Sequence, residues 1–324
     1  MSTRSTANIP RLKLNRIAPM ARCTFAGTVQ ERWDGEHGTC GAWIPFAPKK
    51  PCPSCGQQQI RAQAEAPTEH SRVIDGSACI LDAETEEVVA VHWLGAANIS
   101  DKIGRALQGI VWDDPPLKKA NNAGRLSGLH VAHRVFGYTP PQAMRKRYGC
   151  SRSRFDVDYP EAIELVNDFT LLAEWVFRTF APDVHKHTGE HVRGLIGDDW
   201  RIARTLWTSG IINNTAALPM HKDSGNVKES WSAMLGCRNQ IDGGLLYLAD
   251  YDTYLTIPHG SISIFDGQSV AHGVTPMIPR GPDAWRFTLV CYCKNTMKAC
   301  SPCRADEAKR AAIAATRAED ARIR

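Results

Sequence analysis

The chain has no run approaching the roughly 18–20 uninterrupted apolar residues of a membrane-spanning helix, so nothing in it supports a bilayer span. Its first 22 residues hold five basic side chains and no acid, without the continuous apolar stretch of a secretory leader. The expectation is an intracellular, cytoplasmic protein without membrane attachment. Internal repeats and long low-complexity tracts are absent, which argues against a solenoid. A strong charge of one sign is also missing: 39 Lys plus Arg face 34 Asp plus Glu, a net charge of +5. That balance permits a polyanionic partner such as DNA without demanding one.

What is present is an uneven set of 11 cysteines. Cys23, Cys40, Cys52 and Cys55 lie near the start; Cys291, Cys293, Cys300 and Cys303 lie near the end. A disulfide framework is not expected in an intracellular chain of 324 residues, and paired CxxC spacings point to metal instead. Cys52-Pro53-Ser54-Cys55-Gly56 reads as a zinc-knuckle-like turn, with Cys23 and Cys40 completing a tetrahedral set, or His37 with Cys40 as a mixed pair. Cys291, Cys293, Cys300 and Cys303, four thiols within 13 residues, offer a second structural zinc site. A closed four-thiolate site has no open position, so neither is a catalytic candidate. Free thiols around irregular loops are the plainer alternative.

The organisation reads as three parts: a basic arm and cysteine-rich element over 1–75, a main domain over 76–303, and a charged, Ala-rich terminal helix over 304–324. Strands are expected at 77–82 and 87–92, and a short helix at 101–109. A long helix is expected over Tyr159–Phe180, where Ile163, Val166, Phe169, Ala173 and Val176 recur at helical spacing and Pro182 closes it. From Leu206 short apolar runs alternate with turn residues, the texture of a jelly roll over about 200–295. The fold class is therefore α+β: a double-stranded β-helix flanked by helices, with a small cysteine-rich N-terminal element.

His221-Lys222-Asp223 follows an apolar stretch, and His272 comes 51 residues later. Two imidazoles and one carboxylate make the facial triad of non-haem Fe(II) oxygenases, which leaves coordination positions for a bidentate co-substrate and O2. In an extended segment the His-x-Asp spacing puts both side chains on one side. Arg286 lies 14 residues after His272, where a guanidinium can hold the distal carboxylate of 2-oxoglutarate, and Thr288 faces the same way. Gly243-Gly244 marks the entry to a strand between them. Singly, these are ordinary surface histidines and a salt-bridging arginine; the ordered set argues for iron. A jelly-roll zinc or manganese enzyme is a further alternative.

The segment Thr208–Asn213 leading into His221-Lys222-Asp223-Ser224-Gly225-Asn226, with Gly243-Gly244, His272 and Arg286 behind it, resembles the TET/JBP branch of the 2-oxoglutarate oxygenases. Residues 124–128, Phe136-Gly137-Tyr138 and 145–153 look similar to segments of its phage and bacterial members. The resemblance covers roughly residues 105–295 and implies Fe(II), 2-oxoglutarate and O2 acting on the methyl group of a 5-methylpyrimidine in DNA. 5-Methylcytosine is favoured over thymine. A methyl group inside a duplex is out of reach, so base flipping or a single-stranded substrate is implied. Asn213 and Asn226 become candidates for orienting 2-oxoglutarate or the base. Arg145 and Arg147, in a basic run with Lys146, Arg152 and Arg154 and interleaved by Tyr148 and Phe155, become candidates for tracking DNA phosphates, with a solvated charged face as the alternative. Arg125, between two Gly-containing segments, becomes a candidate for lining the substrate channel, with a loop arginine as the alternative. A monomer is expected. Competing functions are an oxygenase of the same fold acting on a protein or small molecule, and a non-catalytic zinc-dependent DNA-binding protein.

Overall fold

The computed structural model describes residues 8–17, 64–112, 132–140 and 149–302. It also describes the short strands Cys23–Phe25, Thr28–Gln30 and Gln59–Ile60 and scattered helical positions between 305 and 315. The framework is a pair of sheets with helices against the outer face of the larger one. The nine-stranded sheet runs in the order Arg11–Leu14, Ala78–Asp82, Val88–Trp93, Ile262–Phe265, Ser232–Asn239, Trp285–Tyr292, Ser209–Asn214, Ala132–Thr139, Ser151–Arg152. The five-stranded sheet runs Leu218–His221, His272–Val274, Leu246–Leu248, Thr253–Leu255, Arg72–Ile74. Pairing is antiparallel except at Arg11–Leu14 on Ala78–Asp82 and Thr253–Leu255 on Arg72–Ile74.

Alternation along the strands divides the core. Phe287, Leu289 and Cys291 of one strand join Ile212, Ala233, Leu235 and Ile264 in the cluster that meets the helices. Between the sheets, Ile80, Ala90, Met234 and Phe265 pack against Leu246, Leu248 and Leu255, with Val290 at the margin. Arg286 and Thr288 share the inward face with Val290, by the two-residue period. The Pro160–Phe180 helix starts on a proline at its first turn and buries Ile163, Val166, Phe169, Ala173, Val176 and Phe177 against the sheet.

Several elements depart from the sequence reading. Pro182 does close the long helix, but it also opens another, Pro182–Leu195. That helix buries mainly His185, Thr188, Gly189 and Val192, so it lacks the apolar period that flags a helix. Arg11–Leu14, expected in a separate basic arm, is the edge strand of the large sheet, and Arg72–Ile74 is an edge of the small one. The strand Ala132–Thr139 went unpredicted. No described helix is long and apolar enough to cross a membrane.

The expected zinc set at the C-terminal end is corrected. Cys300 forms a disulfide with Cys150, 150 residues away. Its sulfur is therefore not available as a thiolate, and spacing along the chain could not reveal so distant a partner. Cys291 sits in the helix-side core and Cys293 in a separate cluster with Trp200, Val227 and Met297. Burial pushes the Cys293 thiol up to about 12, the opposite of what a metal thiolate needs. Cys303, Cys40, Cys52 and Cys55 lie outside the described residues, and of Cys23 only the backbone is described.

Candidate metal centre

His221 ends the strand Leu218–His221 and His272 begins the strand His272–Val274. The two are direct cross-strand partners, so their rings leave the sheet on one face, with centroids 4.4 Å apart. Asp223 is not on that strand. The extended segment expected through Asp223 stops at His221, and the carboxylate is placed by a turn. The Asp223 N–H donates to Gly267 O at 2.7 Å, and Asn226 N–H donates back to Asp223 O at 3.3 Å. The result brings Asp223 Oδ1 to 3.7 Å from His221 Nε2 and 3.9 Å from His272 Nε2. Among the described residues, His221, Asp223 and His272 form a group whose ligand atoms all lie within 4.8 Å of one another.

The surroundings select which atoms face inward. His272 Nδ1–H donates to Val270 O at 3.0 Å. A carbonyl only accepts, so the neutral ring carries its proton on Nδ1 and presents the Nε2 lone pair. Asp223 Oδ2 accepts from Ser232 Oγ at 2.9 Å and Asn226 Nδ2 at 3.3 Å, which leaves Oδ1 toward the imidazoles. Phe265 meets the His272 ring edge-on at 4.9 Å. His272 is buried, whereas the side chains of His221 and Asp223 are 19 % and 24 % exposed, so the group is open on one side. Gly267 makes this approach feasible: a Cβ there would come within 2.4 Å of Asp223 Oδ2 and 3.2 Å of His272 Cε1. Two nitrogens and one carboxylate oxygen, with an open face, fit a non-haem Fe(II) ion.

At the other end of the inter-sheet space, Arg286 is 1 % exposed. Its Nη2 donates to Gly244 O at 2.9 Å, while Nε and Nη1 have no partner among the described residues. Burial, and then the like charge of Arg238, hold its guanidinium below the ordinary value. Thr288 lies two residues along the same face and pairs with Asn213 across the sheet, and the buried Asn213 Oδ1 is also without a partner among the described residues. The structure thus brings Asn213, Thr288 and Arg286 onto one inward face.

Asn226, a candidate for orienting co-substrate or base, donates to Asp223 Oδ2 and so braces it. Arg125, Arg145 and Arg147 lie outside the described residues. Two other members of the basic run are engaged locally. Arg154 pairs with Asp158, and Arg152 stands 3.6 Å from Asp156 and over the Tyr138 ring. Phe155, which interleaves that run, is core. Ser232, Gly267 and Tyr292 also adjoin Asp223, and the sequence reading did not single them out for the site. Tyr292 lies close enough that Asp223's charge adds to burial in raising its phenol. Two clefts of about 340 and 580 Å³, beside Arg152 and Arg201 and beside Arg72 and Tyr251, include no residue of the triad.

No family model matches the sequence, and no curated protein matches it. Among solved structures, NgTET1 in complex with 5mC DNA is similar over 75 % of this chain and 86 % of that one, with a TM-score of 0.50 and 13 % identity. The chain has a TET-like fold. A 2OG-Fe(II) oxygenase family protein from Burkholderia pseudomallei matches 26 % of this chain and 42 % of that one at 16 % identity and a TM-score of 0.22. A bsmA homologue from Methylobium petroleophilum matches 61 % and 82 % at 14 % identity and a TM-score of 0.31. Likeness at those scores carries no weight beside the first.

Proposed function

We propose that this chain is an Fe(II)- and 2-oxoglutarate-dependent dioxygenase that hydroxylates the methyl group of a 5-methylpyrimidine in DNA, 5-methylcytosine before thymine. One observation carries the reading. A His, Asp, His group converges on one point, and a buried arginine with unpartnered donors stands on the inward face of the same pair of sheets. The TET-like fold, and the 5mC DNA bound to NgTET1 in its structure, support the choice of substrate. Short strands in two facing sheets support the double-stranded β-helix as the architecture.

In this reading His221 Nε2, Asp223 Oδ1 and His272 Nε2 hold the iron. When bound together, Fe(II), 2-oxoglutarate and O2 supply the oxidising power to insert one oxygen atom into a C–H bond, with release of succinate and CO2. The side chains do the rest. Arg286 and Thr288 bind the distal carboxylate, the strongest geometry being a pair of parallel N–H···O bonds. Asn213 orients the co-substrate from the neighbouring strand. Ser232 and Asn226 keep Asp223 from rotating, and Phe265 shields one side of His272 from water. The exposed sides of His221 and Asp223 face the substrate. A flipped base fits that access; Arg145 and Arg147 are the proposed phosphate contacts and Arg125 a proposed lining residue of the substrate channel. Cys23, Cys40, Cys52 and Cys55 remain the proposed structural zinc site.

The test is direct. Purified protein is incubated with Fe(II), 2-oxoglutarate and methylated or unmethylated DNA, and the digested nucleosides are weighed by mass spectrometry. Hydroxymethyl nucleosides are expected. Succinate without any modified nucleoside would remove DNA as substrate and leave the oxygenase; neither product would remove both.

A further inference from the structure

Arg238 and Arg286 stand directly opposite each other where Ser232–Asn239 pairs with Trp285–Tyr292. Opposite residues in an antiparallel pair leave the sheet on the same face. Here that face is the inward one, because the chain neighbours Cys237 and Phe287 belong to the helix-side core. The two guanidinium groups also dock on consecutive carbonyls. Arg238 Nη1 donates to Gly243 O at 3.0 Å, and Arg286 Nη2 to Gly244 O at 2.9 Å. Both glycines have left-handed φ, +69° and +65°. A Cβ on Gly243 would come within 2.1 Å of Pro276 O, and one on Gly244 within 3.0 Å of Arg286 Nε. This turn therefore admits no side chain and holds two cations side by side.

The described residues answer that charge only in part. Arg238's other hydrogen bond is to Ile257 O at 3.3 Å. The acid that acts on it, Asp242, is ion-paired with Arg280. Like charges opposite one another in a sheet repel, and a buried cation with two unpartnered donors is costly. A bound anion between or beside the two groups would supply the charge and the acceptors that are missing.

We propose that Arg238 and Arg286 together form a two-arginine carboxylate seat, with Arg238 making the co-substrate site selective for a dicarboxylic 2-oxo acid. The inference rests on the proposed function and sharpens it: the sequence reading gave the distal carboxylate to Arg286, with Thr288 beside it. Arg238 is half-buried and reaches the site from a different strand, so its contribution is a second charge added to the grip of Arg286.

The experiment measures equilibrium binding of two acids to the Mn(II)-loaded protein by calorimetry: 2-oxoglutarate, and 2-oxobutyrate, which lacks the distal carboxylate. Wild type is compared with Arg238→Gln, Arg238→Met and Arg238→Lys. Gln and Met are expected to weaken 2-oxoglutarate about tenfold or more, the effect of removing a hydrogen bond to a charged group. Lys should stay within about threefold, and 2-oxobutyrate should bind all four proteins alike. Melting temperatures without ligand give an independent readout. Relief of like-charge repulsion leaves Arg238→Met as stable as wild type or more so, whereas a purely structural arginine would cost stability. Unchanged 2-oxoglutarate binding in both neutral variants, or equal loss of both acids, would overturn the inference while the oxygenase reading stands. Wild type that binds neither acid would overturn the oxygenase reading and this inference with it.

Discussion

The two ends of the inter-sheet space are built on opposite terms. At the metal end the protein satisfies its own side chains up to the ligand atoms. His272 Nδ1 is taken by Val270 O, and Asp223 Oδ2 by Ser232 and Asn226. At the arginine end it leaves donors unanswered: Arg286 Nε and Nη1 are buried without partners among the described residues, and Arg238 faces Arg286 with like charge. The first is a site pre-organised by hydrogen bonds. The second stays incomplete until an anion arrives. One end is geometry waiting for a cation; the other is charge waiting for an anion.

The largest expected effect breaks the metal end outright. Asp223→Ala should abolish 2-oxoglutarate turnover and lower Fe(II) affinity well beyond the roughly 100-fold that an outer partner of a ligand costs. Retained turnover with bound metal would refute the triad. Gly267→Ala comes next. Its Cβ must displace the Asp223 carboxylate, and a shift near 1 Å is expected to cost about 100-fold in activity. A variant as active as wild type would show that the turn relaxes freely.

Arg286→Met tests the contrast itself. 2-Oxoglutarate affinity should fall by roughly tenfold to a hundredfold, while metal affinity stays within about twofold and unliganded stability holds or rises. A matching loss of metal affinity would mean the two ends are not independent.

The smallest effect concerns a third inward histidine that takes no metal. His92 is fully buried, bonded through Nδ1 to Ser263 Oγ at 2.8 Å, and burial lowers its pKa to about 4. It is neutral in the folded protein, whereas the unfolded chain takes up a proton below about pH 6.5. Its contribution is therefore complete above about 6.5 and lost as the pH falls toward 4, by up to about 3 kcal/mol. Urea titrations across that window should show the slope in wild type and a flatter one in His92→Gln, with metal affinity unchanged. An identical slope would assign the acid sensitivity elsewhere.

Much of the fold was legible where periodicity is strong. The Pro160–Phe180 helix and the Trp285–Tyr292 strand match expectation because apolar residues dominate both, although the strand also buries Arg286 and Thr288. Elements that bury small or polar groups gave no such signal. Pro182–Leu195 hides behind His, Lys and Glu, and Ala132–Thr139 behind a glycine and a histidine. The site divides in the same way. His221, Asp223, His272 and Arg286 announce themselves by residue type and order. Gly267 does not, because its function is the space it leaves, and Ser232 does not, because nothing local ties a serine to a carboxylate nine residues earlier. Cys300 misled for a related reason. A CxxC spacing reads as metal, but its disulfide partner is 150 residues away.

By itself, then, the sequence determined the chemistry available: two imidazoles, a carboxylate, an inward arginine, and the alternation that puts Arg286 and Thr288 on one face. Those are consequences of residue type and of a two-residue period, both local. Tertiary structure decided which atoms meet. It paired His221 with His272, moved Asp223 off the strand and into a turn against Gly267, gave Asn226 to Asp223, and set Arg238 opposite Arg286. Each of those choices depends on strand register and on close approaches between distant segments. Register is set by how two sheets bury their faces together, and no window of sequence contains it.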